Sequence, residues 1–372
     1  MNKIKLFCSA VTIMTLLTSS TVIKTNEYNE KDIILKETGT IKQTIIEYDE
    51  NGSIIVPNDN PIDIIKEPNI KTITISAVGD CTLGSDVKYG LNNSFLEKSK
   101  TVNDGYFFSG VKEILSNDDY TIANLECALT ENKNAKDKEF AFRGEPSFVN
   151  ILKEGSVECV NNANNHSKDF YEEGYNETIK VLENNLIDHF GYEIISIKEI
   201  DGIKIANAGF TSYYAGHVEP YQIKEALEKM DEMGADIKII SIHGGYEGEY
   251  EFDPIKQNLA HYAIDNGASL VLGHHPHVLQ GIETYKGKNI VYSLGNFCYG
   301  GSRYPNDKDS MIYQHTFTFE NDILVDEESK IIPVHITGSI GNDFRPVLVN
   351  EEENERIINK VLTYSHNFEY KK

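Results

Sequence analysis

Short apolar runs alternate with longer amphipathic stretches along the chain from residue 71 onward. The short runs are rich in Val and Ile, which favours buried strands. The longer stretches repeat their apolar residues every three or four positions, as one face of a helix requires. The pattern predicts strands at 72–78, 121–123, 157–161, 204–208, 237–242, 268–272, 289–294, 313–319 and 330–336. It predicts helices at 172–184, 222–233 and 254–266. Alternation of this kind predicts an α/β fold, in which helices cover a sheet.

The first 24 residues have the order of a secretory signal. Lys3 and Lys5 precede a mostly apolar stretch from Leu6 to Leu17, and small polar residues follow it. That stretch is shorter than the roughly 20 residues that span a bilayer as a helix. Residues 1–24 are therefore predicted to be a signal peptide or an N-terminal membrane anchor. We expect an extracytoplasmic protein, secreted or anchored to the outer face of the cytoplasmic membrane.

Residues 25–70 differ in composition and hydrophobic pattern from the rest of the chain. Short β-prone runs alternate there with Asn, Asp, Gly and Pro, and Asn51-Gly52 is a hairpin-turn signal. This composition predicts a linker or a small β attachment. One domain is predicted for 71–345, followed by a C-terminal segment at 346–372.

A net charge of −23 narrows the range of partners. Residues 1–24 contain three lysines and no acidic residue, so the remaining residues carry −26. Such a surface repels nucleic acid and anionic lipid, and we expect no nucleic-acid partner. It also repels a polyanionic substrate unless cations intervene. Beyond the first 24 residues, the cysteines match no zinc-finger spacing and are predicted to be buried thiols rather than disulfides.

Polar residues of the types that bind metals lie at or within a few residues of the end of each of several predicted strands. They are Asp80, Glu126, Asn165, His243, and the Pro-linked pair His275 and His277. In open α/β sheets, ligands bind at the carboxyl ends of strands. A mixed set of oxygen and nitrogen donors suits zinc, manganese or iron. The sequence therefore predicts a metal site at this end of the sheet.

Each of these residues also has a structural interpretation when it is taken alone. Asp80 is compatible with a turn, and Glu126 with a solvated loop. Asn165 and His166 are compatible with the start of a helix, and His243 with a buried core histidine. His274 is either a partner of a ligand or solvent-facing. The order of the whole set, each at a strand end, favours the metal site.

The ordered motifs Gly-Asp, Asn-Leu-Glu, Asn-Asn-His, Gly-His-His-Pro-His-Val and Tyr-Ser-Leu-Gly-Asn-Phe resemble those of the bacterial capsule synthesis protein family, the poly-γ-glutamate CapA/PgsA type. The resemblance covers roughly residues 71–338. That family is similar in turn to the calcineurin-like metallophosphoesterases. The resemblance implies a metallophosphoesterase-like α/β sandwich, in which helices flank two packed mixed sheets. It also implies one or two divalent ions, manganese, zinc or iron.

The resemblance also assigns roles to individual residues. It implies that the metal ligands are Asp80, Glu126, Asn165, His243, His275 and His277. It makes His166 the catalytic residue beside them, and Glu247 a substrate-binding residue. Arg143, whose guanidinium suits a carboxylate or phosphate, is also predicted to bind substrate.

Two departures from the phosphoesterase pattern bear on activity. Cys81 and Thr82 follow Asp80, where phosphoesterases usually have Asp-x-His, so one ligand is missing. Glu126 stands where they usually have a bridging Asp. Three functions stay open: metal-dependent hydrolysis or transfer in poly-γ-glutamate capsule production, a non-catalytic component that binds the polymer beside a membrane synthase, or a secreted metallophosphoesterase unrelated to capsule.

Overall fold

The computed structural model describes residues 47–48, 54–55, 68–86, 88–212 and 218–370. The chain divides into two compact units, 1–67 and 68–372. In the first unit, strand β1 (Glu47–Tyr48) pairs antiparallel with β2 (Ile54–Ile55). The predicted signal peptide or anchor at 1–24 lies outside the described residues. Within the described ranges, no helix combines the length and apolar character needed to cross a membrane.

The second unit contains the alternating strands and helices. Its strands are β3 (Ile70–Thr82), β4 (Ser85–Asp86), β5 (Tyr120–Leu125), β6 (Ala128–Leu129), β7 (Phe142–Gly144), β8 (Cys159–Asn161), β9 (Asp188–Phe190), β10 (Ser196–Ile200), β11 (Ile203–Thr211), β12 (Ile237–His243), β13 (Leu270–His274), β14 (Ile282–Tyr285), β15 (Lys288–Val291), β16 (Asn296–Tyr299), β17 (Asp309–Glu320), β18 (Ile323–His335) and β19 (Val347–Leu348). Its helices are α1 (Phe95–Lys98), α2 (Lys112–Leu115), α3 (Val149–Glu154), α4 (Tyr171–Asn184), α5 (Pro220–Glu232), α6 (Pro254–Asp265) and α7 (Glu351–Thr363).

Two mixed sheets form the centre of this unit. The first has the strand order β19-β18-β17-β3-β5-β8-β9, and β16 also pairs with β3. The second has the order β10-β11-β12-β13-β15-β14. Neighbouring strands are parallel from β3 to β9 in the first sheet and from β11 to β15 in the second. A smaller sheet has the strand order β4-β7-β6.

The two large sheets pack face to face. Side chains alternate between the two faces of a strand, so Ile75 and Ile122 of the first sheet share one apolar cluster with Ile239 and Leu272 of the second. All four are at most 1% exposed. Burial of this kind stabilises the fold by roughly 25 cal/mol for each Å² of apolar surface.

Helices cover the outer faces of both sheets. Leu182 of α4 packs in a cluster with Leu125 of β5, and Leu227 of α5 and Leu259 of α6 pack with Ile240 of β12. The predicted α/β sandwich, with helices flanking two packed mixed sheets, is confirmed. The four described cysteines, all buried, are free thiols.

Helix α7 is held to the first sheet by charge as well as by apolar contact. Its Ile357 belongs to the cluster between the sheets. Arg356 donates from both terminal nitrogens to the two oxygens of Asp309, at 2.8 and 2.6 Å. Lys360 Nζ lies 2.9 Å from the same carboxylate. Asp309, His335, Glu353, Arg356 and Lys360 are called the C-terminal ion-pair cluster below.

Candidate metal centre

The predicted metal ligands meet where parallel strands of both sheets end. Asp80 lies near the end of β3, and Glu126 directly follows β5. His243 is the last residue of β12, and His275 comes directly after β13. All four residues are completely buried. Because these strands end at one edge of the sandwich, their terminal side chains occupy a common site.

Asn124, a residue that the sequence analysis left without a role, joins the two sheets at this site. Its Nδ2 donates to Asp80 Oδ1 at 2.8 Å and lies 3.3 Å from Nδ1 of His243. Its Oδ1 accepts from the amides of Asn161 and Asn164, at 3.0 and 3.2 Å. A buried amide whose groups are all engaged is rigid, so Asn124 fixes the Asp80 carboxylate.

The turn after β13 carries His275 and His277 in strained backbone conformations, with φ of 96° and 59°. Positive φ is uncommon outside glycine and costs on the order of 1–3 kcal/mol. Two contacts hold the turn. The His275 amide donates to Asp80 Oδ2 at 3.2 Å, and Asn296 donates to the His277 carbonyl at 3.1 Å. In these conformations both imidazoles lie in the site, with donor atoms close to Glu126.

His277 lies between two carboxylates. Its Nδ1 is 3.2 Å from Asp80 Oδ2, and its Nε2 is 3.9 Å from Glu126 Oε1. Burial alone lowers the pKa of His277, but Glu126 and Asp80 raise it to about 10. For Asp80, burial favours a higher pKa, yet His274 and His277 hold it well below its usual range.

The carboxylate of Glu126 lacks hydrogen-bond partners among the described residues of the site. Neither carboxylate oxygen accepts a hydrogen bond from any described residue, and both are buried. Burial, followed by the charge of Asp80, raises the pKa of Glu126 well above its usual range. Glu126, His275 and His277 each offer a donor atom within 4.8 Å of the others. Burying a carboxylate without a partner is costly, and a cation among these donors would offset that cost.

The remaining donors gather on the other side of Glu126. His243 Nε2 lies 3.4 Å from Glu126 Oε1 and 2.8 Å from Oδ1 of Asn165, and its ring centre is 4.8 Å from that of His275. Burial, then the nearby His275, lowers the pKa of His243 well below its usual value. Burial, then His277, lowers the pKa of His275 to about 3. Neutral imidazoles are the form that binds metals.

The structure thus brings all six predicted ligands together. They are called the donor cluster below: Asp80, Glu126, Asn165, His243, His275 and His277. Asp80 and His277 lie at one end, and Asn165, His243 and His275 at the other. Glu126 stands between the two ends.

His166 lies beside the donor cluster and has its own carboxylate partner. Its Nδ1 is 2.7 Å from Oδ2 of Asp169, and Lys138 Nζ donates to the other oxygen at 2.7 Å. The ring of Phe142 packs 4.4 Å from the imidazole. Burial lowers the pKa of His166, although Asp169 opposes the shift. Asp169 lies three residues after His166, a spacing visible in the sequence, whereas nothing in the sequence pointed to Lys138.

The two predicted substrate-binding residues lie outside the donor cluster. Arg143 donates from Nη1 to the Thr130 carbonyl at 2.9 Å. Since Phe142 faces His166, the alternation of the strand turns Arg143 the other way. Glu247 is exposed in the loop after β12, and its negative charge contributes to the raised pKa of His277. Glu247 therefore lies at the rim of the site.

Lys256 of α6 lies beneath the site, completely buried. Its ammonium donates to the carbonyls of Gly244, His274 and Tyr292 at 2.8, 2.9 and 2.7 Å. Gly244 and His274 directly adjoin two members of the donor cluster. Burial lowers the pKa of Lys256 to about 7. One charged group thereby ties together three strand ends that surround the site.

Comparison with known proteins identifies relatives over most of the second unit. A family model described as "Bacterial capsule synthesis protein PGA_cap" matches residues 74–300. The capsule biosynthesis protein CapA of Bacillus anthracis is 28% identical over 73% of this chain and 69% of its own length. The PGA biosynthesis protein CapA of Bacillus subtilis (strain 168) is 30% identical over 67% of this chain and 70% of its own.

More distant similarities cover less or are weaker. A probable polyglutamine synthesis accessory protein of Mycobacterium tuberculosis is 24% identical over 48% of this chain and 55% of its own length. Among solved structures, a hypothetical protein from Thermus thermophilus superposes with a TM-score of 0.44 and 17% identity, covering 70% of this chain and 99% of that one.

Proposed function

Because the chain belongs to the bacterial capsule synthesis protein family, we propose that it acts outside the cytoplasmic membrane in poly-γ-glutamate capsule production. Its chemistry is metal-dependent hydrolysis or transfer on an amide or a phosphoester. Its partners are the acidic polymer and a membrane-bound synthase. The names of its relatives in two Bacillus species, which refer to capsule and PGA biosynthesis, support the pathway. The orphaned carboxylate of Glu126 supports the metal.

The donor cluster fits one or two divalent ions. Both oxygens of Glu126 are buried without a hydrogen bond from the described residues, as expected of a carboxylate whose natural partner is a cation. Oxygen and imidazole donors in mixture suit manganese, zinc or iron. Asp80, Glu126 and His277 would hold one ion, and Glu126, Asn165, His243 and His275 the other. Such an ion supplies Lewis acidity, which activates water and polarises the bond under attack.

His166 supplies the proton-transfer group. Its Nδ1–H is held by Asp169, so Nε2 is the atom that exchanges protons with substrate. A lowered pKa keeps the imidazole neutral near pH 7, and Nε2 then accepts a proton from the attacking water and passes it to the leaving group. Proton transfer by a positioned side chain contributes about 10²–10⁴-fold to a rate. Lys138 holds Asp169 and so keeps the pair aligned.

Elemental analysis of the purified full chain tests this proposal. We expect roughly one or two transition-metal ions per chain, and loss of metal in His275→Ala/His277→Ala with the circular dichroism spectrum unchanged. His315→Ala is the control, since His315 is as buried as His275 but hydrogen-bonded through both ring nitrogens. Absence of metal after incubation with manganese, zinc and iron would overturn the metal-dependent function.

A second candidate function is a non-catalytic component that binds and exports the polymer. One observation favours it: Cys81 packs in the outer apolar cluster and Thr82 stands where phosphoesterases have a histidine. Complementation of a strain that lacks the chain separates the two functions. Under the enzymatic function, His166→Ala restores no polymer; restoration of normal polymer by His166→Ala would favour the binding function.

A further inference from the structure

His274 is the first of the three histidines that follow Gly273, and it ends β13. The residue is 1% exposed. Its Nδ1 lies 3.3 Å from Asp80 Oδ1. Neither ring nitrogen has a hydrogen-bond partner among the described residues. His274 is thus neither solvent-facing nor engaged in the way that a buried histidine usually is.

The strand itself determines where His274 points. Leu270 and Leu272 belong to the apolar cluster between the two sheets, whereas Val271 belongs to the cluster under the helices. Alternation therefore directs His274 into the space between the sheets. Its partner in the parallel register is His243. His274 is consequently carried by a rigid strand, unlike His275 and His277, which lie on the turn that follows.

The environment of His274 differs from that of a histidine that merely supports a ligand. A supporting histidine has a well-formed hydrogen bond to the group it orients. In Asp80, Oδ1 already accepts from Asn124 at 2.8 Å, and His274 approaches the same oxygen in a geometry that leaves both ring nitrogens unsatisfied. Both nitrogens are buried polar atoms that need a partner.

The Asp80 end of the donor cluster also has fewer donors than the other end. It has Asp80, His277 and the shared Glu126, whereas the other end has four donors. Thr82 stands at the position where phosphoesterases have the missing histidine. Zinc sites are usually four-coordinate, with four protein ligands in structural sites and three protein ligands and a water in catalytic ones, so a fourth protein donor would complete the coordination at this end. An imidazole on the neighbouring sheet is well placed to supply the fourth.

We propose that His274 is a metal ligand at the Asp80 end of the site and replaces the histidine that the Asp-x-His motif lacks here. The spacing agrees with this role. Two donors that bind one ion tetrahedrally at about 2.0–2.2 Å lie about 3.3–3.6 Å apart, and Asp80 Oδ1 and His274 Nδ1 are 3.3 Å apart. The proposal rests on the metal-dependent function proposed above, and it adds a strand residue of the second sheet to the first ligand set.

Cobalt binding by the full chain tests the proposal, because the absorption of cobalt(II) reports its ligands directly. The wild type, His274→Ala and His274→Cys are compared. We expect His274→Ala to bind about one ion fewer than the wild type, or to bind cobalt at least roughly tenfold more weakly at one site. We expect His274→Cys to bind cobalt with a sulfur-to-cobalt charge-transfer band in the near ultraviolet. The wild type, which has its own cysteines, provides the baseline.

The outcomes are distinguishable. A full complement of cobalt in His274→Ala, with the wild-type visible spectrum, would overturn the role of His274 while leaving the metal centre intact. Absence of cobalt from the wild type would instead remove the proposed function. If His274→Ala does not fold, the charge-transfer band of His274→Cys decides: its presence supports ligation and its absence from a cobalt-loaded variant contradicts it. His315→Ala again controls for the loss of a buried histidine.

Discussion

Two groups of carboxylates and histidines in this protein contain similar residue types but differ in the partners of their carboxylates. Glu126, His275 and His277 form one group with donor atoms within 4.8 Å of one another, and Asp309, His335 and Glu353 form another. In the second group, Arg356 and Lys360 bind the carboxylates. In the first, the oxygens of Glu126 accept no hydrogen bond from the described residues. Residue types alone therefore do not decide whether such a group is open to a metal ion.

The pKa directions express the same contrast. Burial favours a higher pKa for both Asp309 and Glu126. At Asp309, Arg356 and Lys360 more than compensate for burial and lower the pKa. For Glu126 the charge of His277 opposes the effect of burial but does not outweigh it, and the pKa stays well above its usual range. The C-terminal ion-pair cluster is complete as it stands and fastens α7. In the donor cluster the two oxygens of Glu126 have no such partner among the described residues, and a divalent ion would supply one.

The largest expected effect separates the two groups by metal affinity. Glu126→Gln removes the carboxylate that both ends of the donor cluster share, so we expect the affinity for manganese or zinc to fall by more than about 100-fold. Asp309→Asn should leave that affinity unchanged. Competition with a chromogenic chelator measures both. An equal loss of affinity in the two variants would contradict the distinction.

The second effect concerns His166, whose carboxylate partner is supplied by the chain itself. Asp169→Asn removes the charge that holds Nδ1–H, and we expect turnover to fall about 10²-fold with metal retained. Hydrolysis of bis-p-nitrophenyl phosphate and of poly-γ-glutamate measures turnover across a range of pH. A shifted pH profile is expected from a group that acts through His166. Loss of metal with an unchanged profile would show that Asp169 only maintains the fold.

The third effect is on stability and concerns the C-terminal ion-pair cluster. Asp309→Asn leaves Arg356 and Lys360 without their common partner, so we expect the free energy of unfolding to fall by about 1–3 kcal/mol. Urea denaturation of the metal-free protein measures the change. Glu352→Gln, an exposed change in the same helix, is the control. A loss no larger than that of the control would show that the cluster does not fasten α7.

The stability difference should also depend on pH. The folded-state pKa of Asp309 is depressed, so its contribution is complete above the ordinary value of an aspartate, about 3.9, and is lost as the pH falls through the lower folded-state value. We therefore expect the wild type and Asp309→Asn to converge in stability below about pH 4. A constant difference across the whole acidic range would contradict this linkage.

The smallest expected effect is a gain in stability rather than a loss. Without metal, the buried carboxylate of Glu126 is a cost to the fold, because its folded-state pKa is raised and the charged form is disfavoured at neutral pH. We therefore expect Glu126→Gln to raise the melting temperature of the metal-free protein by a few degrees at neutral pH. Thermal unfolding in the presence of a chelator measures this. A lower melting temperature would show that Glu126 has a partner in the folded chain.

Much of the site was visible in the sequence because its residues stand at the ends of apolar strands. The strand predicted at 72–78 extends to Thr82, since Gly79 interrupts the apolar run without ending the strand. A Cβ at Gly79 would lie 2.0 Å from the Gly295 carbonyl oxygen, so glycine is needed for the close approach of these two backbone segments. The helices predicted at 172–184 and 254–266 begin and end within one residue of α4 and α6.

What the sequence did not reveal depends on contacts between distant segments. Lys138 reaches Asp169 from 31 positions away, and Lys256 is a buried cation on a helix whose pattern indicated only an amphipathic surface. The attachment of α7 depends on a charge pair 47 positions apart. Neither periodicity nor local motif records such pairings. The roles of the individual site residues, the signal segment and the location of the protein stay predictions.

The three hydrogen bonds from Lys256 to backbone carbonyls, here called the clamp, have a consequence for the evolution of this chain. Its three acceptors are backbone carbonyls, which every residue possesses, so the neighbouring side chains are free to change without affecting the clamp. Lys256 itself is not free to change. The planar guanidinium of arginine directs its donors differently from a compact ammonium, and no shorter side chain carries three donors. We therefore expect sequence drift around this position to spare Lys256 itself, with the loop after β12 free to diverge while the arrangement of the three strand ends is inherited intact.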